Sequence, residues 1–160
     1  MSYFELLVRH AHAYLKEDGI VLNFAGYNET IVQYAKLQEH ETDKAWELAK
    51  DLNAWSEYFS SVSNMLQKTF LDAETDKNST EAIASFQADN EKVANGNRLS
   101  DKDERVIYAR KKRNALKALY EELDAKVKFL ERAHYHCKST YEIAMKQDLS
   151  SKFTDKRSVS

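Results

Sequence analysis

The stretch Ala45–Ala73, AWELAKDLNAWSEYFSSVSNMLQKTFLDA, decides the fold. Its apolar positions Ala45, Leu48, Leu52, Trp55, Phe59, Val62 and Leu66, closed by Thr69 and Ala73, are separated by three and four residues in near alternation. A repeat averaging about 3.5 residues, held over roughly four heptads, keeps one stripe of a helix facing a partner helix along its length. A second stretch holds the same spacing for more than five heptads: Val106, Ala109, Arg113, Leu116, Tyr120, Leu123, Val127, Leu130, His134, Cys137, Tyr141 and Ala144. The fold expected from these two seams is all-α, a long antiparallel coiled-coil-like hairpin. Each long helix has roughly 47 residues, about 70 Å at 1.5 Å per residue. A two-helix hairpin alone buries little surface, so one or two short accessory helices and further copies of the chain are expected to complete the core.

Outward from the seams, Tyr3 to Glu17 reads as a short helix with Phe4, Leu7 or Val8, Ala11 and Leu15 on its apolar face and Gly19 as its terminator. The apolar, glycine-bounded segment Ile20–Tyr27 fits neither helical nor strand period. Asn28 reads as an N-cap with Glu29 in the first turn, which opens a long helix expected over 29–75 and bent near Glu41-Thr42-Asp43, where the seam loses phase. The polar run TDKNST (75–80) reads as a break. It leads into a connector, 76–100, that carries a weaker helix over 81–94 anchored by Ile83, Phe86 and Val93, then a turn at Asn95-Gly96-Asn97. Ser100 and Asp103 resemble a capping box for the last helix, expected over 101–148, with a flexible polar tail at 150–160. Residues 1–149 are expected to form a single helical domain.

Composition agrees with long uninterrupted helices: proline is absent and there are three glycines, Gly19, Gly26 and Gly96. The lone Cys137 excludes a disulfide within one chain and points to a reducing cytoplasm. No stretch approaches the roughly 18 apolar residues of a membrane span, so no membrane partner is expected. Net charge is −2, yet residues 1–97 hold 8 Lys/Arg against 16 Asp/Glu while residues 98–160 hold 16 against 10. An acidic front and a basic back can pair within the chain, pair between subunits, or offer the basic half to a polyanion.

Catalytic and metal signatures are weak. His10 with His12, and His134 with His136, lie two residues apart and so point about 200° from each other on a helix, unable to chelate one ion as a pair. Glu131 and His134 form one E-x-x-H, whereas helical di-iron sites require two such motifs and further carboxylates. Glycine-rich phosphate loops and nucleophile elbows have no counterpart in the sequence. The expectation is therefore a non-enzyme without cofactor or metal. The basic run is the stronger signal: Arg110, Lys111, Lys112 and Arg113, flanked by Arg98, Lys102, Arg105 and Lys117, place eight cations within twenty residues. Such a run suits a phosphate backbone, with Tyr108 near enough to stack on a base. It equally suits a solvated helix laced with pairs such as Lys117–Glu121, or a complement to the acidic half. Among the aromatics, Trp46 and Tyr58 fall off the seam and are candidate protein contacts, whereas Trp55 and Phe59 belong to it.

The last helix resembles the UvsY recombination-mediator family of tailed bacteriophages in the order Asp101, Asp103, Glu104, Arg105, Val106, then Lys112, Leu123, Lys128, Leu130, Tyr135, Lys138 and Glu142. A second patch is Trp55 followed by Ser60-Ser61-Val62. The resemblance implies a small, helical, self-associating protein that acts on single-stranded DNA. The chain departs from the family where members carry a basic and aromatic stretch after the first long helix; here stand Asp72, Glu74, Asp76 and Lys77. Two functions follow as expectations. The first is a phage-encoded accessory of recombination or replication, acting in the host cytoplasm. It would bind single-stranded DNA through Arg105, Arg110, Lys111, Lys112, Arg113 and Lys117 and contact a recombinase or helicase. The second is a structural or protein-binding module (virion component, scaffold or inhibitor of a host protein) with no nucleic-acid role, using Trp46 and Tyr58.

Overall fold

The computed structural model describes residues 2–88, 101 and 103–157. Among these the chain is all-helical, with α1 at Tyr3–Glu17, α2 at Tyr27–Lys36, α3 at Thr42–Ala88 and α4 at Glu104–Arg157. By its contacts the chain divides into two compact units, residues 1–22 with 61–124 and residues 23–60 with 125–160, and each draws on both long helices.

In the first unit α1 meets α4 through its last turns, where Tyr14 and Glu17 contact Tyr108. Ser2 and Glu5 close a reciprocal capping box at its start, and Phe4, Leu7, Ala11 and Leu15 are buried. Its end is a Schellman motif: Gly19 sits at φ +71°, its N–H donates to the Lys16 carbonyl at 3.1 Å and the Ile20 N–H to the Leu15 carbonyl at 2.8 Å. Also buried in this unit are Val62, Leu66, Ala73 and Ala84 of α3 and Val106, Leu116, Leu119 and Leu123 of α4. Phe70 stacks on Tyr120 while Glu74 meets Arg113 and Glu81 meets Arg110, so the two long helices run antiparallel here.

The break expected at 75–80 is absent, and α3 continues to Ala88. The seam persists as Ala73, Lys77, Thr80 and Ala84, spaced four, three and four residues, with the Lys77 side chain only 17% exposed and Ala84 buried. The Thr75 and Thr80 hydroxyls donate back to the carbonyls of Leu71 and Asp76, so the polar residues satisfy themselves without leaving the helix. The connector expected over 76–100 is thus helical as far as Ala88. The remainder of the expected 81–94 helix, the Asn95-Gly96-Asn97 turn and the Ser100 cap lie outside the described residues.

In the second unit α2 covers the first part of α3 and the second part of α4, with Tyr27, Leu48, Leu52, Phe59, Leu130 and Cys137 buried. Trp46 stacks on Tyr141, and the His134 ring meets the Ala49 carbonyl, so the long helices are antiparallel in this unit also. The helix expected over 29–75 is two helices. The chain leaves α2 through Leu37, whose ψ of 130° is extended, and α3 begins only at Thr42. Between them the Glu41 carboxylate accepts the Gln38 N–H at 3.0 Å and the Lys44 ammonium at 3.1 Å, fixing the corner. Gly26, at φ +87°, takes the N-cap position expected of Asn28, and α2 begins at Tyr27. At the other end, the backbone expected to be a flexible tail from 150 is helical through Arg157.

Candidate functional site

The basic run lies on the first turns of α4, in the first unit, and most of it faces carboxylates. Arg110 Nε lies 2.6 Å from Glu81 of α3 and its Nη2 2.7 Å from Asp101. Lys112 lies 2.9 Å from Asp18, just past α1, and Arg113 Nη2 lies 3.2 Å from Glu74 of α3. Arg105 forks onto Asp103 at 2.7 Å and donates to Gln87 of α3 at 3.2 Å. The same fork holds the Asp103 carboxyl below its ordinary value. Lys117 reaches Glu121 one turn on, at 3.8 Å. Lys111 is exposed and meets no carboxylate among the described residues. Arg98 and Lys102 lie outside the described residues.

Arg113 holds the seam position expected of it. Its Nη1 donates to Asn114 at 2.9 Å, and its buried Nε has no hydrogen-bond partner. The aromatic expected to stack on a base, Tyr108, is held from α1: its hydroxyl hydrogen-bonds the Glu17 carboxylate and its ring lies edge-on to Tyr14 at 5.6 Å. That bond to Glu17, with burial second, pushes the Tyr108 phenol up to about 12. An open cleft of about 740 Å³ runs beside these residues, and its walls carry Asp76 and Glu104 as well as Arg105 and Lys112. Both signs of charge line it, so it presents no single-signed field to a polyanion.

The two off-seam aromatics lie in the second unit and part ways there. Trp46 is 37% exposed, stacks on Tyr141 with centroids 4.9 Å apart and carries the Lys50 ammonium 5.4 Å from its ring centroid. Tyr58 accepts the Asn23 N–H at 3.1 Å and lines an open cavity of about 380 Å³ with Asn23, Ala25, Asp51, Ala54 and Trp55. Trp55 is seated by its Nε1–H, which donates to Thr30 Oγ1 at 3.2 Å, and by edge contacts to Tyr27, Tyr58 and Phe59. The tight turn at Gly26 lets the preceding residues lie against α3, where Asn23 Oδ1 accepts the Ala25 N–H at 2.9 Å.

The residues that composition alone left unassigned are the partners: Asp18, Glu74 and Glu81 for the basic run and Asp51 for the cavity, which Trp55, expected only as a seam residue, also lines. The charge division anticipates pairing within the chain, but naming the partners requires the register of α3 against α4.

His134 Nδ1–H donates to the Ala49 carbonyl at 2.8 Å, and Tyr34 hydrogen-bonds His136 at 3.3 Å. Cys137 is fully buried, which raises its thiol pKa. Among the described residues no three His, Cys, Asp or Glu side chains are grouped as a metal site would need, and no helix is long and apolar enough to cross a membrane. The chain matches no protein family, no curated protein and no solved structure.

Proposed function

We propose that this chain is a structural, protein-binding helical module rather than a catalyst or a strand-binding protein. The observation that carries the reading is the pairing of Arg110, Lys112 and Arg113 with Glu81, Asp18 and Glu74. These three cations of the basic run close onto carboxylates of the acidic half, which leaves less positive charge free among the described residues of that run to release counterions from a phosphate backbone. Self-association belongs to the same reading. Tyr135, Met145 and Leu149 share one flank of α4 and remain 64%, 45% and 53% exposed, more apolar surface than a solvated helix face needs.

A second reading, a recombination or replication accessory on single-stranded DNA, is favoured by Lys111, which is free among the described residues, and by Lys117. The Lys117 side chain is 45% exposed and its partner distance is 3.8 Å. An exposed pair of that kind contributes at most about 1 kcal/mol and yields readily to a phosphate.

Fluorescence anisotropy of a labelled single-stranded oligonucleotide across a salt series separates the two. The module reading expects no saturable binding near physiological salt. Tight binding that falls steeply with salt would overturn it in favour of the accessory reading.

A further inference from the structure

We infer that the cavity on α3 in the second unit is a docking site for an arginine side chain of a protein partner. The inference rests on the protein-binding reading above and names the chemistry that the partner must bring. Asp51, Ala54, Trp55 and Tyr58 stand at i, i+3, i+4 and i+7, so they share one face of α3. Asn23 and Ala25 also line the cavity, whose volume is about 380 Å³.

Three properties select the ligand. First, Asp51 is exposed and carries no ion pair or hydrogen bond among the described residues, while its neighbours on the helix are engaged: Lys50 on Glu47 at 2.8 Å and Asn53 on Glu57 at 2.8 Å. Among the described residues it is the only formal charge lining the cavity. Second, Trp55 is fixed by its bond to Thr30 and by three surrounding rings, so its indole is a rigid platform whose ordering cost is already met by the fold. Third, the Tyr58 oxygen already accepts the Asn23 N–H, and its own O–H has no acceptor among the described residues.

A cation with a flat face suits a carboxylate beside an indole. A guanidinium can lie on the ring and fork onto the carboxylate at the same time. A lysine ammonium is a compact, strongly hydrated point charge and gains less from the ring. An apolar side chain would leave Asp51 without a partner, and an anion would be repelled by it.

The test uses the full chain carrying Trp46→Phe, which keeps a ring against Tyr141 and leaves Trp55 as the one tryptophan. Trp55 fluorescence is followed while N-acetyl-arginine amide is added, and N-acetyl-lysine amide in parallel. A saturable change with half-saturation in the millimolar range is expected for the arginine compound, weaker for the lysine one. Adding Asp51→Asn should raise the half-saturation concentration about tenfold, as loss of a hydrogen bond to a charged group does. Asp51 is exposed, so this variant keeps its fold, checked by circular dichroism. A merely linear change, or saturation that Asp51→Asn leaves untouched, overturns the proposal. Failure here with no DNA binding leaves the module reading standing, whereas arginine binding together with salt-steep DNA binding removes that reading and keeps the site.

Discussion

Arg113, on the seam of α4, is held 3.2 Å from Glu74 of α3, with its side chain 24% exposed and its Nε buried without a partner. A cation at a core-type position is tolerated there because one carboxylate offsets most of its desolvation. Glu74→Gln should lower the unfolding free energy by about 1–2 kcal/mol, below the full cost of an orphaned buried charge because both groups retain some solvent. Arg113→Met, which fills the same space without charge, should stay within about 0.5 kcal/mol of the wild type or exceed it. Urea unfolding of the two variants checks the contrast; equal effects would mean the pair does not couple.

If the carboxylates neutralise the basic run, removing them should create a phosphate-binding surface. The combined variant Asp18→Asn, Glu74→Gln, Glu81→Gln should bind single-stranded DNA more tightly than the wild type. The slope of log affinity against log salt should steepen by about 2, at roughly 0.7 for each of three released cations. Circular dichroism establishes that the helices persist. A slope identical to the wild type would show that these pairs do not hold the basic run.

Tyr108 should titrate late. Its phenol is raised from the ordinary value of 10.0 to about 12 by the bond to Glu17. The raised value stabilises the protonated form, so this contribution to stability is complete below about pH 10 and is lost between about pH 10 and 12. In ultraviolet difference titration at alkaline pH, Tyr108→Phe should remove a late-ionising component, and Glu17→Gln should shift that component toward the ordinary range. A titration curve for Tyr108→Phe that loses only ordinary tyrosine signal would refute the assignment.

Cys137 should be inert in the native protein. Full burial raises its thiol above the ordinary value of 9.0 and shields it from reagents. At pH 8 a thiol-specific chromogenic reagent should react fully in urea and negligibly without it. Prompt native reaction would place this part of the seam open to solvent.

Much of the architecture could be read from spacing alone, because burial along a helix is periodic. Leu48, Leu52, Phe59, Val62, Leu66, Leu116, Leu123 and Leu130, all assigned to the seams, are buried. Besides the cap at Gly26 and the helix beyond 150, two larger features escaped. The run at 75–80 looks like a loop because its seam positions are Lys77 and Thr80, whose burial rests on an aliphatic stem and a back-bonded hydroxyl that hydropathy does not register. The break between α2 and α3 contains neither glycine nor proline and depends on side-chain bonds of Glu41. At the candidate sites the cations and Tyr58 were visible as residue types, but their partners were not. Asp18 is remote from Lys112 in sequence, and Asn23 from Tyr58; only the folded register brings them together.

The two units differ in what ties their helices together. Arg110, Lys112 and Arg113 bridge helices or helix ends in the first unit by charge, whereas Phe24, Tyr27, Trp55 and Phe59 interlock as rings in the second. At 1 M salt the screening length shrinks to about 3 Å, and the partly exposed charge ties weaken while the rings do not. Cooling acts the other way, since apolar burial fades at low temperature. Local opening, followed by amide exchange, should therefore shift between the two ends of α3 with the solvent: strong salt should loosen residues 61–88 first, and cold should loosen residues 42–60.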